Sequence, residues 1–184
     1  MCGIIGFIGL DNLNVLIKMR DEMIHRGPDD YGYYFQKNNK LFLGHRRLSV
    51  IDSNGGKQPM WDNEEKICII FNGEIYNHLN LRKSLESKGY IFQSSHSDTE
   101  VLIYGYKEWG NDLPKHLNGM FAFCIFDKIK NKLFLARDRF GEKPLFYYQN
   151  KNIFGFSSEI RTFNLSFFLA PTLYPSITLS GRTS

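Results

Sequence analysis

Cys2 follows the initiator methionine. A Met before a residue this small is normally removed, which would make Cys2 the first residue of the mature chain. Its freed α-amine would then have an ordinary pKa of about 7.7–8.0, so a useful fraction is neutral near pH 7. That amine can take the thiol proton, directly or through a water, and the thiolate is the nucleophile. Gly3 beside it leaves room for a substrate. A small hydrophobe needed only for packing would look the same at position two. Further along, Asn72-Gly73-Glu74 closes an apolar run. Acyl transfer needs donors aimed at a developing oxyanion, and a side-chain amide plus a backbone N–H beside glycine supplies two. Asn-Gly is also a common turn dipeptide with no chemistry attached. Arg46-Arg47 could grip a carboxylate through two parallel hydrogen bonds, or lie solvated on the surface. Asp98, in Ser97-Asp98-Thr99-Glu100, could hold an ammonium group, or simply favour the first turn of a helix.

Other chemistries lack their residues. The histidines at 25, 45, 78, 96 and 116 show no metal-ligand spacing with Cys68 or Cys124, which sit in apolar runs, so no metal site is assigned. Neither glycine-rich phosphate-loop pattern occurs, which leaves nucleotide binding without support. The net charge is only +4 and no Lys/Arg run exceeds two residues, too dispersed for nucleic acid. No apolar stretch reaches the ~18 residues of a membrane span. The N-terminus lacks a basic segment and meets Asp11 early, unlike a signal peptide. Three cysteines, an odd and low count, argue against a disulfide scaffold and suit a reducing, cytoplasmic setting.

Positioning these groups takes about one domain's worth of elements, which 184 residues with 42% hydrophobic content can provide. Residues 3–9 read as a buried strand. A helix runs from an Asp11-Asn12 cap to about Met23, with Leu13, Leu16, Ile17, Met23 and Ile24 on its apolar face and Arg20 as the one polar residue there. Residues 31–36 and 41–47 form a hairpin, and 48–52 continue extended. Residues 66–71 are a strand ending at an Asn72-Gly73 turn. Helices are expected over 77–88 and, from a capping box at Ser97 and Glu100, from there through Trp109. Residues 119–127, 132–137, 145–149 and 153–156 are strands. Strands in both halves with helices between them predict an α+β fold of layered, largely antiparallel sheets. After about Thr162 the composition changes: residues 163–184 carry no acid and many Ser and Thr, and read as a poorly ordered tail.

Eight segments, taken in order, go further: MCGIIGF, HRGPDDYG (25–32), GHRRLSVID (44–52), QPM (58–60), FNGEIYN (71–77), SDTE (97–100), LNGMFAF (117–123) and RDRFGEKPLFY (137–147). Together they resemble the N-terminal glutaminase domain of asparagine synthetase, a class II glutamine amidotransferase, over residues 2–162. The resemblance implies an N-terminal-nucleophile hydrolase fold, a four-layer α/β/β/α sandwich. It implies glutamine hydrolysis to glutamate and ammonia through a Cys2 glutamyl thioester, with Asn72 and the Gly73 N–H as the oxyanion hole. Arg47 would hold the substrate carboxylate, Glu74 and Asp98 its ammonium, and backbone around Val50 and Ile51 would complete the pocket.

The half-reaction so implied uses no cofactor. ATP and Mg would belong to the family's second, synthetase domain, whose Ser-Gly-Gly-x-Asp-Ser loop is not matched by Ser180-Gly181-Arg182. Asparagine synthesis by this chain alone is therefore not expected, and a separate synthetase domain or subunit is the expected partner. Two other readings stand beside this one. The chain could be a non-catalytic fragment that binds glutamine or a synthetase. It could also be an amidotransferase serving another ammonia acceptor, against which Gly141-Glu142-Lys143-Pro144-Leu145 argues.

Overall fold

A computed structural model describes residues 1–48, 56–94 and 96–163. Its strands are β1 (Gly3–Ile8), β2 (Asp30–Gln36), β3 (Leu41–Arg47), β4 (Met60–Trp61), β5 (Ile67–Ile75), β6 (Gly119–Asp127), β7 (Lys132–Arg137), β8 (Phe146–Gln149) and β9 (Phe154–Ser157). Its helices are α1 (Leu13–Asp21), α2 (His78–Ser87), α3 (Asp98–Trp109) and the single turn α4 (Leu113–His116). The strands form two sheets, ordered β2-β3-β1-β9-β8 and β4-β5-β6-β7, with every neighbouring pair antiparallel.

The period-two alternation of strands decides the layering. On the inner faces, Ile4, Leu41, Leu43 and Phe156 of the first sheet meet Cys68, Ile70, Ala122 and Phe126 of the second. On the first sheet's outer face, Ile5, Phe7 and Phe42 pack on Leu16 and Met19 of α1. On the second sheet's outer face, Ile69, Phe71, Phe123 and Phe134 pack on Leu102, Ile103 and Tyr106 of α3. Leu85 of α2 rides on Val101 and Tyr104 of α3. The result is the expected four-layer order of helix, sheet, sheet, helices.

Three local expectations are corrected. Asn72-Gly73 is not a turn: β5 continues to Ile75, paired with β6 as Asn72↔Ala122 and Gly73↔Phe121. A Cβ at Gly73 would lie 2.1 Å from the Met120 carbonyl oxygen, so glycine here permits a close strand approach rather than a reversal. Ile24 is exposed, because α1 ends at Asp21 and the chain leaves helical spacing before it. The capping box at α3 is half formed. Ser97 Oγ accepts the Glu100 N–H, but the Glu100 carboxylate takes the N–H groups of Gln93 and Ser94 instead of returning to Ser97. The two short elements β4 and α4 carried no expectation from sequence. Arg20 is buried as a polar member of its helix face, 4.5 Å from the Tyr31 ring centroid and paired with Asp21.

Most of the extended reading over 48–52 and the tail beyond residue 163 lie outside the described residues. Phe163 itself closes a 3₁₀ turn, Ile160–Phe163, and packs edge-on to Phe7 at 6.0 Å.

Candidate active site

The polar site is the continuation of the inner faces past the end of the apolar core. Cys2 has the parity of Ile4 on β1, and His45 and Arg47 have that of Leu41 and Leu43 on β3. Asn72 and Glu74 follow Cys68 and Ile70 on β5 in the same way. The β1–β3 register pairs Gly3 with Arg46, which sets Cys2 level with Arg47. A cavity of about 520 Å³ opens where these strand ends meet. Six residues singled out from the sequence line it: Cys2, Arg47, Asn72, Gly73, Glu74 and Asp98. Val50 and Ile51 lie outside the described residues.

Cys2 is half-buried at the mouth of β1. Its Sγ lies 3.9 Å from the Leu48 carbonyl oxygen, and its own carbonyl accepts the Arg26 Nε–H at 3.0 Å. The space beside Gly3 belongs to packing instead of substrate: a Cβ there would meet Met23 Sδ at 3.0 Å. Cys68 and Cys124 are fully buried, and burial pushes both thiols far up from the ordinary range.

The donors of β5 explain why Asn-Gly sits in a strand. Phe121 spends its N–H on the Asp138 carboxylate and its carbonyl on the Asp138 N–H. The Gly73↔Phe121 pair is therefore the non-hydrogen-bonded kind, and the Gly73 N–H turns away from β6. Residues two before and two after turn the same way. The Phe71 N–H is taken by Gln58 Oε1 at 2.6 Å and the Ile75 N–H by Asp98 Oδ2 at 3.2 Å. Between them the Gly73 N–H faces the cavity, beyond the reach of the two-residue β4. Next to it, the Asn72 side chain is 1% exposed, and its Nδ2 has no hydrogen-bond partner among the described residues. A buried amide left unpaired costs about 1–3 kcal/mol, so a fold that keeps one is keeping a donor for something else.

Charge is divided across the cavity. Arg47, 8% exposed at the end of β3, packs its guanidinium against the bare backbone of Gly56, where a Cβ would lie 2.6 Å from Nη2. On the far side are Glu74 and Asp98. Burial raises the Asp98 carboxyl above its ordinary value, against the lowering effect of the Ile75 N–H, His78 and the Thr99 N–H. Among the described residues no group of three or more His, Cys, Asp or Glu is placed to hold a metal ion. No described helix is long and apolar enough to cross a membrane.

Two residues of the site carried no assignment from sequence. Gln58 stood in a short motif with nothing to show that its amide would cap the β5 edge. Lys143 stood between Gly141 and Pro144, where a lysine reads as surface. It is instead 7% exposed and lines the cavity. The loop that carries it is built on Asp138, whose carboxylate accepts the N–H groups of Phe121, Phe140, Glu142 and Lys143. Burial alone would raise that carboxyl. The N–H groups outweigh it and hold the carboxyl below the ordinary range.

A two-sheet sandwich whose first strand starts in the site is the N-terminal-nucleophile hydrolase architecture, here of the amidotransferase kind. The chain belongs to the glutamine amidotransferase domain family, whose profile matches residues 1–172. It is 42% identical over 168 residues to asparagine synthetase (glutamine-hydrolyzing) 3 of Bacillus subtilis, covering 88% of this chain and 27% of that protein. It is 44% identical over 166 residues to asparagine synthetase (glutamine-hydrolyzing) 1 of the same organism, covering 86% and 26%. It thus spans about a quarter of the length of these curated relatives. Amidase chry2 of Gibberella zeae is 40% identical over 152 residues, covering 82% of this chain and 22% of that protein. The fold is shared with a solved glutamine phosphoribosylpyrophosphate amidotransferase from B. subtilis, at a TM-score of 0.74 and 24% identity over 89% of this chain and 43% of that one. The chain is a glutamine amidotransferase domain of the type found in glutamine-hydrolysing asparagine synthetases.

Proposed function

We propose that Cys2, once Met1 is removed, is the nucleophile that hydrolyses glutamine, and that the ammonia is passed to a synthetase domain or subunit making asparagine. The free α-amine takes the Cys2 thiol proton, and Sγ attacks the carboxamide carbon of glutamine. The carbonyl oxygen becomes an oxyanion and accepts hydrogen bonds from Asn72 Nδ2 and the Gly73 N–H. The protonated amine then gives its proton to the departing nitrogen. The C–N bond breaks and ammonia leaves a glutamyl thioester on Cys2. A water, deprotonated by the same amine, attacks the thioester and releases glutamate and the free thiol.

The substrate's charges match the cavity. Arg47 pairs with the α-carboxylate, and Glu74 and Asp98 with the α-ammonium. This chemistry draws on no cofactor. A cytoplasmic setting, which keeps Cys2 reduced, suits it.

One observation carries the reading: the unpaired Asn72 amide and the Gly73 N–H open into the same cavity as Cys2. The test is glutamate and ammonia release by purified protein whose N-terminal mass shows Cys2 first. Turnover that is lost in Cys2→Ala is expected. Folded, Met-free protein no faster than Cys2→Ala would overturn the proposal.

A further inference from the structure

We propose that Lys143 is a positioning residue for the reaction: its ammonium disfavours a proton on the freed Cys2 α-amine and so keeps that amine available as the base near neutral pH. The inference rests on the glutaminase reading above. Lys143 is 7% exposed, and a buried ammonium ordinarily finds a carboxylate. Among the described residues it finds none. Nζ instead makes a hydrogen-bond contact with Met1 Sδ at 3.6 Å.

Removal of Met1 deletes that contact and leaves the new N-terminus within a methionine side chain's reach of the lysine. The position is not accidental, because the four N–H groups on Asp138 fix the loop. At Gly141, φ is +68° and a Cβ would collide with the Arg137 guanidinium at 2.0 Å. The other charged or titratable groups around the terminus come from several elements. Arg26, whose Nε–H is donated to the Cys2 carbonyl at 3.0 Å, shares the Glu159 carboxylate at 3.3 Å with Arg161 at 2.6 Å. Arg47, Glu74, His78, His96 and Asp98 line the rest of the cavity. In the substrate complex Arg47 is matched by a carboxylate, and Glu74 and Asp98 by an ammonium. Lys143 then adds a cation near the amine that has no carboxylate partner among the described residues. At that range and an effective dielectric near 20, it shifts the amine's protonation midpoint by about one pH unit.

The test compares Lys143→Met and Lys143→Arg with wild type, each confirmed Met-free by mass and folded by far-UV circular dichroism. In Lys143→Met the acid limb of the kcat/KM profile moves up by about one pH unit, costing about tenfold at pH 6.5 and little at pH 9. Lys143→Arg keeps the wild-type limb. The Cα resonance of 13C-labelled Cys2, titrated without substrate, shows the same shift. Because that readout needs no turnover, it separates failure of this inference from failure of the glutaminase reading. A midpoint unchanged in Lys143→Met, an equal shift in Lys143→Arg, or a raised KM with an unmoved profile would overturn it.

Discussion

His45 ties the two sheets together one residue short of the proposed oxyanion donors. Its Nε2 lies 3.2 Å from the carbonyl oxygen of Phe71, and its ring is 1% exposed. A carbonyl has no proton to give, so the ring is in its Nε2–H form and donates. Burial, reinforced by Arg47 and Arg46, pushes the imidazole down to about 4 against the effect of the Phe71 bond. An unfolded chain protonates histidine near pH 6.5. Between that pH and about 4 the unfolded state binds a proton that the folded state refuses, so stability falls as pH falls through this window. The loss is roughly 3 kcal/mol. Urea midpoints at pH 7 and 4.5 measure it, and His45→Gln should flatten the slope. An equal slope in both proteins would assign the loss to other groups.

Asn72→Ala should separate function from stability. It removes one oxyanion donor, so kcat should fall by about 10²–10³ with KM little changed. It also removes a buried unpaired amide, so the protein should be as stable as wild type, or more so by about 1 kcal/mol. Parallel kinetics and urea unfolding give both numbers. A variant that loses activity and stability together would make Asn72 a structural residue.

Gly73→Ala should do the opposite. The added Cβ would sit 2.1 Å from Met120 O and 2.8 Å from Phe121 Cα, both backbone atoms of β6 that cannot swing aside. Overpacking of this kind costs about 1–3 kcal/mol. A lowered thermal midpoint with loss of turnover is the expected result. An unchanged midpoint would mean that β5 and β6 separate more easily than their register suggests.

The three thiols should differ sharply. Burial raises the Cys68 and Cys124 thiols far above the range in which they ionise, whereas Cys2 opens on the cavity. Iodoacetamide at pH 8 should add one label to the native protein, at Cys2, and three after denaturation. Mass spectrometry of the peptides decides the matter, and label on Cys68 before unfolding would contradict the burial.

Asp138→Asn should loosen the loop that carries Lys143. The carboxyl is held below its ordinary value, so its contribution is present above the unfolded aspartate's pKa and is lost as pH falls through the folded one. The amide keeps the size but forfeits charge-assisted acceptance from several N–H groups, a loss of about 1–3 kcal/mol at pH 7. The difference between variant and wild type should shrink once pH falls below the ordinary aspartate range, as the wild-type carboxyl takes up its own proton.

What sequence could reveal follows from how local each signal is. The hairpin of β2 and β3, the Ser97 cap and Gly110 past α3 depend on neighbours in the chain, and they stand where their residue types place them. The set Cys2, Arg47, Asn72, Gly73, Glu74 and Asp98 was visible as motifs, and the strand ends together with the start of α3 gather it in one cavity. Asn72-Gly73 misled because its turn preference is local, while its strand conformation is imposed by β6 from about fifty residues away. Gln58 and Lys143 were hidden for the same reason. The edge that Gln58 caps and the terminus that Lys143 faces are created only by folding.

The outward N–H groups of β5 have one more consequence. An exposed strand edge with a row of donors is an invitation for a peptide to pair, because an added strand needs alternate partners along several residues. Here Gln58 occupies the donor at Phe71 and Asp98 the donor at Ile75, which among the described residues leaves only that of Gly73. A vacancy one donor wide admits a single carbonyl oxygen and denies a polypeptide its register. The same two side chains that frame the cavity thus guard the sheet against edge-to-edge aggregation.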